Sequence, residues 1–364
     1  MIDNRPVNFS EVAYVLGMNY KKLHRWYKEV LSGFTDAATQ EELHRYDLTP
    51  AKGPEQEKIP VPILKPEHIG EHMAIDEKTI GDECYTILSN RVTGKIALAA
   101  QTLRSSELMQ LMHHFDLKHY QVKSITRDLA PGYDWFCRSA FPNAMHVGDK
   151  FHVIKLLLEA LQEVRIRYRQ ELLSQRRKAF EEHKQNEKIR KQQVAKDKAF
   201  YKPQSFRFIE EKLDNGDTPL ELLARSHYLL YKLPEQMSPS QKARADILFQ
   251  NYSDIKNAYH LAVQFRRWYA RENLGQPIQL LLKPQLQDWY ESVEKSDITE
   301  LLNFKSTVES NEGIILNYFL KGYTNAKAEN LNKQIQRFIT SNQGTRNLDF
   351  FFFRLKLYFA NHSN

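Results

Sequence analysis

Cysteine is nearly absent from this sequence, and its scarcity excludes whole classes of protein. Only Cys84 and Cys137 occur among the 364 residues. Two cysteines cannot supply the ligands of a zinc finger or the disulfide framework of a small secreted domain. Such sparing use of cysteine is typical of proteins of a reducing cytoplasm.

Long apolar runs are missing as well. No stretch approaches the ~18–20 uninterrupted apolar residues of a membrane-spanning helix. The first residues, MIDNRPVNFSEVAYVLG, contain neither the basic nor the apolar part of a secretory signal. We therefore expect a cytoplasmic protein that has no membrane partner.

Positive charge is what the sequence has in excess. Its net charge is +7 and its isoelectric point is ≈ 9.1. Residues 161–200 contain 12 Lys/Arg against 6 Asp/Glu, and residues 316–364 contain 7 against 2. One such run is often only a solvated helix face. Two of them favour nucleic acid as a partner, because neutralising phosphates releases counterions.

Residues 1–45 are predicted to form a helix-turn-helix segment that contacts DNA. A short helix, a glycine-containing turn and a second helix follow one another, and the second helix carries Lys21, Lys22, Arg25 and Lys28. A basic second helix is how a recognition helix enters the major groove, although any short helical hairpin gives a similar pattern. Residues 46–70 contain five prolines, which predicts a linker or wrapping arm without regular structure.

Residues 71–154 have the pattern of an α/β unit. Strands are predicted at 72–76, 83–92, 95–103, 122–128 and 144–149, with helices at 105–115 and 133–141. An antiparallel meander followed by parallel crossovers is the order of the ribonuclease-H-like fold, here with a five-stranded mixed sheet. Residues 155–322 are predicted to be a large all-α insertion, and 323–364 to be two helices that complete the core.

Three of the predicted strands each end in an aspartate, namely Asp76, Asp128 and Asp149. A single aspartate at a strand end is usually a helix cap or turn residue, but ligand sites of α/β sheets also lie there. Phosphodiester chemistry needs clustered acids, because two divalent ions ~3.5–4 Å apart must bridge the scissile phosphate. Mg²⁺ takes oxygen ligands and keeps several waters, so a few carboxylates suffice.

Several segments together resemble the DDE transposases of bacterial insertion sequences, and most of all the ISL-three family. They are HMAIDEKT (72–79), SITRDLAPGYDWF (124–136), AMHVGDKFHVIKLLLEAL (144–161), KAENLNKQIQRF (327–338) and GTRNLDFFFFRLKLYF (344–359). The family has an acid-Lys/Arg-Phe-His segment after its fifth strand, and a third acid in a Glu-Gly-Leu-Asn-like helix after a long insert. Asn330 stands here in place of the glycine.

The resemblance implies that Asp76, Asp128 and Glu329 are catalytic and bind two Mg²⁺ ions, with Mn²⁺ as a substitute. It implies further that five other residues orient those ligands or contact DNA: Asp149, Lys150, His152, Asn332 and Lys333. For Asp149, direct binding of the metal ions stays open as an alternative. His152 is expected beside Asp149. The family's cysteine-rich zinc-binding segment has no counterpart here, so it is lacking in this lineage, supplied by another chain or outside this sequence.

The expected function is therefore cleavage and strand transfer of an insertion sequence in a bacterial cytoplasm, in association with the nucleoid. DNA of the transposon ends and of the target would be the partners, and the chain is expected to act as a homo-oligomer on DNA. Two alternatives stay open: a ribonuclease-H-like nuclease without strand transfer, and a catalytically decayed remnant that only binds DNA.

Overall fold

The structure is a computed structural model of the chain. It describes residue 2 and residues 7–49, 58–115, 121–196, 200–320, 326–341 and 347–361, without the side chains of 326–329, 332 and 359–361. The chain divides into two compact units. The first consists of Met1–His152 and Gly313–Asn364, and the second is Val153–Glu312.

A mixed six-stranded sheet forms the centre of the first unit. Its strands are β1 Ile63–Leu64, β2 His72–Ile80, β3 Glu83–Asn90, β4 Ile96–Ala100, β5 Ser124–Arg127 and β6 Met145–Gly148. Their order is β1-β4-β3-β2-β5-β6. Strands β2, β3 and β4 form an antiparallel meander, whereas β5 pairs in parallel with both β2 and β6. The predicted α/β core is confirmed, but the predicted number of five strands is wrong.

The additional strand, β1, comes from the proline-rich segment. The sequence predicts no regular structure over 46–70, yet the described part contains β1 and a 3-10 turn at Pro66–His68. In addition, Leu48 and Ile59 form an isolated antiparallel bridge. β1 is an edge strand that pairs with β4. Nearby prolines are tolerated because an edge strand does not need every amide for a ladder.

Glycines close the two turns of the meander. Gly81 connects β2 to β3 with φ 67°, and Gly94 connects β3 to β4 with φ 74°. A residue with a Cβ is strained at such angles, so tight hairpin turns favour glycine there. Both turns agree with the antiparallel meander that the sequence predicts.

Helices cover both faces of this sheet. One face packs against α4, Ser105–His114, and α5, Pro131–Ala140. The opposite face packs against α13, Ala326–Ser341, and α14, Leu348–Asn361. The second cluster joins strand residues to helix residues, among them Ile80, Tyr85, Ile87, Leu331, Ile335, Phe338 and Phe352. The C-terminal helices therefore belong to the same folded unit as the sheet.

Three short helices precede the sheet: α1 Phe9–Val15, α2 Tyr20–Trp26 and α3 Ala37–His44, with a π-helical turn at Tyr27–Leu31. Asn19 caps α2, since its Oδ1 accepts hydrogen bonds from the amides of Lys21 at 3.0 Å and Lys22 at 3.3 Å. The buried faces of these helices pack against Phe350 and Phe353 of α14.

The four consecutive phenylalanines of α14 divide between two clusters. Phe350 and Phe353 pack with the N-terminal helices, whereas Phe351 and Phe352 pack with the sheet. Helical geometry explains the division, because residues three apart lie on one face of a helix and their neighbours lie on another. This apolar run therefore joins the N-terminal helices to the sheet.

The described residues of the second unit contain helices and connecting segments only. Its helices are α6 Lys150–Lys196, which begins in the first unit, α7 Pro219–Arg225, α8 Pro239–Asn251, α9 Ser253–Trp268, α10 Lys283–Ser296 and α11 Thr299–Ser310; α12, Glu312–Leu316, leads back to the first unit. Short 3-10 turns occur at Pro234–Gln236 and Arg271–Asn273, and π-helical turns at Ile278–Leu282. The helical region that the sequence predicts is thus present.

The far half of α6 is accompanied by an extended return segment. Tyr201 donates a hydrogen bond to Glu187 at 2.6 Å, and the rings of Phe206 and Phe180 have centroids 5.1 Å apart. None of the helices in the described segments is both long enough and apolar enough to cross a membrane.

Candidate active site

The parallel pairing of β2, β5 and β6, extended past its last paired residues, aligns three aspartates. The registers of β2 with β5 and of β5 with β6 end at the pairs Ala74–Thr126 and Arg127–Gly148. Continued beyond those pairs, they set Asp76 beside Asp128 and Asp128 beside Asp149. Neighbouring strands lie ~4.8 Å apart, so these acids start from adjoining backbone positions. We call them the acid row.

The side chains of the acid row leave the backbone on the face of the sheet that α13 covers. Asp76 lies opposite Ile87 in the β2–β3 pair, and Ile87 is buried in one cluster with Leu331 of α13. Directly opposed residues of neighbouring strands project to the same face. Asp76 therefore projects to the side of the sheet on which α13 lies, and Asp128 starts on that side too.

Asp76 is not at the end of its strand, contrary to the prediction, but is the fifth of the nine residues of β2. The strand continues because β2 and β3 pair as far as Ile80 with Glu83. The Oδ1 atom of Asp76 accepts a hydrogen bond from the Glu77 amide at 2.9 Å. Burial lowers the pKa of the Lys78 ammonium, and the Asp76 carboxylate opposes that shift.

Asp128 directly follows β5, as predicted. Its Oδ1 atom accepts a hydrogen bond from the Ala130 amide at 2.9 Å, which is the geometry of a turn stabilised by an aspartate. Its backbone carbonyl accepts a hydrogen bond from Nη1 of Arg127 at 2.9 Å. Both ends of this residue are therefore held, and the side chain is half-buried.

Asp149 caps the long helix α6. Its side chain is buried, and its Oδ1 atom accepts a hydrogen bond from the Phe151 amide at 2.9 Å. Its own amide donates to the carbonyl of Arg127 at 2.7 Å. An aspartate at this position satisfies an amide of the first helical turn and interacts favourably with the helix dipole. Asp149 therefore has the ordinary role of an aspartate at a strand end, which is to cap the helix that follows.

His152 was expected beside Asp149, and its ring lies near Asp76. Its Nε2 atom is 3.9 Å from Oδ1 of Asp76, while its Nδ1 atom is buried and has no hydrogen-bond partner among the described residues. Lys150, the expected phosphate contact, donates a hydrogen bond from Nζ to the Tyr318 hydroxyl at 3.2 Å. Its ammonium also lies 5.0 Å from the centroid of that ring.

The expected third acid, Glu329, is in the first turn of α13. The side chains of Glu329 and Asn332 lie outside the described residues, and Lys333 is exposed. Within the part of the chain that is described, no three His, Cys, Asp or Glu side chains are grouped closely enough to hold a metal ion.

The basic residues of α2 and of the π-helical turn that follows it differ in their surroundings. Lys21, Lys22 and Arg25 are exposed. The ammonium of Lys28 lies 5.3 Å from the ring centroid of Phe34 and 5.6 Å from that of Phe350. Both rings attract this ammonium, and they lie close to it because the N-terminal helices pack onto α14.

One charged group beneath the acid row was missed by sequence reasoning. Arg127 is 1% exposed and forms an ion pair with Asp134 of α5. Asp134 is also bound by Arg138, whose Nε lies 2.9 Å and 3.0 Å from its two oxygens. The signal available in the sequence was an arginine inside the otherwise uncharged segment SITR of β5, since a charged residue that becomes buried needs an oppositely charged partner.

A protein-family model described as a transposase, that of the ISL-three DDE enzymes, matches residues 73–355. The match begins in β2 and ends in α14, so it includes the sheet, the helical unit and the C-terminal helices. No curated protein and no solved structure matches the chain.

Proposed function

The chain belongs to the ISL-three DDE transposase family, and we propose that it cleaves and joins DNA at a two-ion site formed by Asp76, Asp128 and Glu329. The observation that supports this proposal is the parallel register of β2 with β5, whose last pair is Ala74–Thr126; continued by two residues, it aligns Asp76 with Asp128 on one sheet face. The presence of α13 on that same face supports Glu329 as the third ligand.

A ribonuclease-H-like core is the fold we propose for the first unit. The sheet supports it, since an antiparallel meander is followed by two parallel strands in the order β4-β3-β2-β5-β6. On this view β1 is an addition at one edge. The helical unit Val153–Glu312 is the insertion between the second and third acids, and α13 with α14 completes the core.

The donor set suits a hard divalent ion. Asp76 and Asp128 are carboxylates, and Mg²⁺ prefers oxygen ligands and retains waters when few protein groups bind it. In each of them Oδ1 already accepts a backbone amide, and this bond restricts the orientation of the carboxylate. Two divalent ions, when bound there, activate the attacking oxygen and stabilise the leaving oxygen of a phosphodiester.

The other residues of the site position these acids or the DNA. Asp149 fixes the start of α6, and this turn brings His152 to Asp76. Lys150 and Lys333 are proposed cationic contacts with the DNA backbone, and Asn332 is proposed to orient a metal ligand or to contact DNA.

DNA binding away from the acids is proposed for two basic surfaces. Lys21, Lys22, Arg25 and Lys28 of the N-terminal helices are the proposed recognition contacts of a helix-turn-helix segment. The second is the basic stretch of residues 161–200, most of which belongs to α6, because its 12 Lys/Arg against 6 Asp/Glu attract phosphates. We propose that the chain acts as a homo-oligomer on DNA, as enzymes that pair two DNA ends require.

The test is a cleavage and joining assay on a plasmid that carries the genomic DNA flanking both sides of this gene, with Mg²⁺ or Mn²⁺. Asp76→Ala, Asp128→Ala and Glu329→Ala should each lower cleavage by roughly 1,000-fold or more, since several kcal/mol of transition-state stabilisation are lost. DNA binding should persist. Asp149→Ala should cause a partial loss because its capping role is indirect.

Glu83→Gln is the matched control. Glu83 is an exposed acid of the same β2–β3 ribbon, four pairs from Asp76 and thus roughly 13 Å away, and its variant should cleave normally. Full activity in any of the three alanine variants would overturn the proposal. Cleavage without joined products would indicate a nuclease, and DNA binding without cleavage by the wild type would indicate a decayed remnant.

A further inference from the structure

We propose that Arg127 is a positioning residue that fixes the orientation of Asp128 for divalent-ion binding. This inference rests on the proposed function of Asp128 and adds a residue that neither the acid motif nor the family match assigns.

Arg127 and Asp128 project from the chain in opposite directions, because successive residues of a strand alternate between faces. The Arg127 guanidinium enters the layer of α5, where Nη2 donates to Asp134. From there Nη1 donates back to the carbonyl of Asp128 at 2.9 Å. The same guanidinium thus connects helix α5 to the backbone of the proposed metal ligand.

This connection removes most of the conformational freedom of Asp128. Its carbonyl is held by Arg127, and its Oδ1 atom is held by the Ala130 amide at 2.9 Å. With backbone and side chain both fixed, the other carboxylate oxygen, Oδ2, has one preferred direction. Groups that orient a metal ligand from behind typically change metal affinity by ~10–100-fold when they are replaced.

Stability alone does not explain a cation at this place. Arg127 is 1% exposed, and its Nε atom is buried with no hydrogen-bond partner among the described residues. Burial lowers the pKa of Arg127, and the Asp134 carboxylate opposes that shift. A buried ion pair is often no more stabilising than apolar side chains of similar volume. The hydrogen bond to the Asp128 carbonyl is what an apolar residue could not supply.

Arg138 provides a matched control on the same helix. Its guanidinium binds Asp134 as well, but its side chain is 65% exposed, and its described hydrogen bonds go to Asp134. Replacing it changes the charge pair on α5 without touching the bond to Asp128. The two arginines therefore separate an effect on Asp128 from an effect on α5.

The experiment measures Mn²⁺ binding by the full chain without DNA, from the electron paramagnetic resonance signal of free Mn²⁺. In Arg127→Lys a single ammonium replaces the two guanidinium nitrogens that bind Asp134 and the Asp128 carbonyl. The Kd of this variant for Mn²⁺ should therefore rise about tenfold or more. Asp134→Asn, which keeps the size of the anchor but removes its charge, should raise the Kd in the same direction by a smaller factor. Arg138→Lys should stay within about twofold of the wild type, since the described hydrogen bonds of Arg138 go to Asp134 and not to Asp128.

A second readout is amide exchange of residues 128–135, which should become faster in Arg127→Lys and not in Arg138→Lys. Wild-type Kd in Arg127→Lys, or equal weakening by both lysine variants, would overturn the role of Arg127 and leave the proposed function intact. If the wild type binds no Mn²⁺, or if Asp128→Ala binds Mn²⁺ as the wild type does, the proposed function itself fails. If Arg127→Lys does not fold, Asp134→Asn decides by the same criterion.

Discussion

Replacing Phe352 by alanine should release the two C-terminal helices from the sheet. The Phe352 side chain is 1% exposed, and its ring centroid lies 4.9 Å from that of Tyr85 on β3 and 5.3 Å from that of Phe351. It shares its cluster with Leu331 and Phe338 of α13. Its removal therefore weakens the attachment of both helices.

The expected magnitude follows from the cavity that remains. Truncating a fully buried phenylalanine to alanine costs about 3–5 kcal/mol, made up of lost transfer free energy and unfilled space. At 1.4 kcal/mol for each factor of ten, opening of the helical layer should become roughly 100- to 4,000-fold more frequent. Phe352→Leu leaves a smaller cavity, and its cost should be roughly 1–2 kcal/mol.

Hydrogen exchange followed by mass spectrometry measures this opening without assuming that the two units unfold together. Peptides from β3 and from α13 should exchange faster by that factor in Phe352→Ala, and by much less in Phe352→Leu. Peptides from α9, in the other unit, serve as the internal control and should not change. Unaltered protection of β3 and α13 would refute the claim that these helices form one cooperative layer with the sheet.

Two further predictions concern reactivity and packing. Burial raises the pKa of the Cys137 thiol to about 12, so the reactive thiolate is scarce at pH 8; iodoacetamide should label the exposed Cys84 alone, and labelling of both cysteines without denaturant would contradict the burial. A Cβ at Gly70 would lie 2.6 Å from Nδ2 of Asn90, which is fixed by its bond to a backbone carbonyl, so Gly70→Ala should lower the free energy of unfolding by roughly 1–3 kcal/mol. Gly132→Ala, whose Cβ would meet only ordinary contacts in helix α5, should be neutral or stabilising by up to about 1 kcal/mol; equal effects in urea titrations of both variants would disprove the packing argument.

The sequence predicts much of the first unit because its local signals agree with its packing. The helix predicted at 105–115 is α4, Ser105–His114, since its apolar residues recur at helical spacing. Each predicted strand overlaps an observed one, because buried β-branched and aliphatic residues fill these segments.

Features that depend on distant partners could not be predicted in this way. The second half of β2, from Asp76 to Thr79, alternates between half-buried and exposed residues and is a strand because β3 pairs with it. β1 is two residues long, and its presence among prolines depends on the free edge of β4. The local sequence pattern indicates neither the pairing of β3 with β2 nor the free edge of β4.

The candidate site shows the same limit. The sequence predicts Asp76 and Asp128 on neighbouring parallel strands, and β2 does pair in parallel with β5, but Asp76 lies in the middle of its strand and not at its end. The approach of His152 to Asp76 depends on how α6 starts at its cap, and the bond of Arg127 to the Asp128 carbonyl depends on where α5 packs. Spacing along the chain does not specify either.

The most direct test of the two-ion site is anomalous diffraction from crystals of the full chain soaked in Mn²⁺. Two peaks ~3.5–4 Å apart should appear between the carboxylates of Asp76, Asp128 and Glu329, and Asp128→Asn should lose at least one of them. Ions bound elsewhere, with Asp76 and Asp128 making no contact to them, would contradict the site.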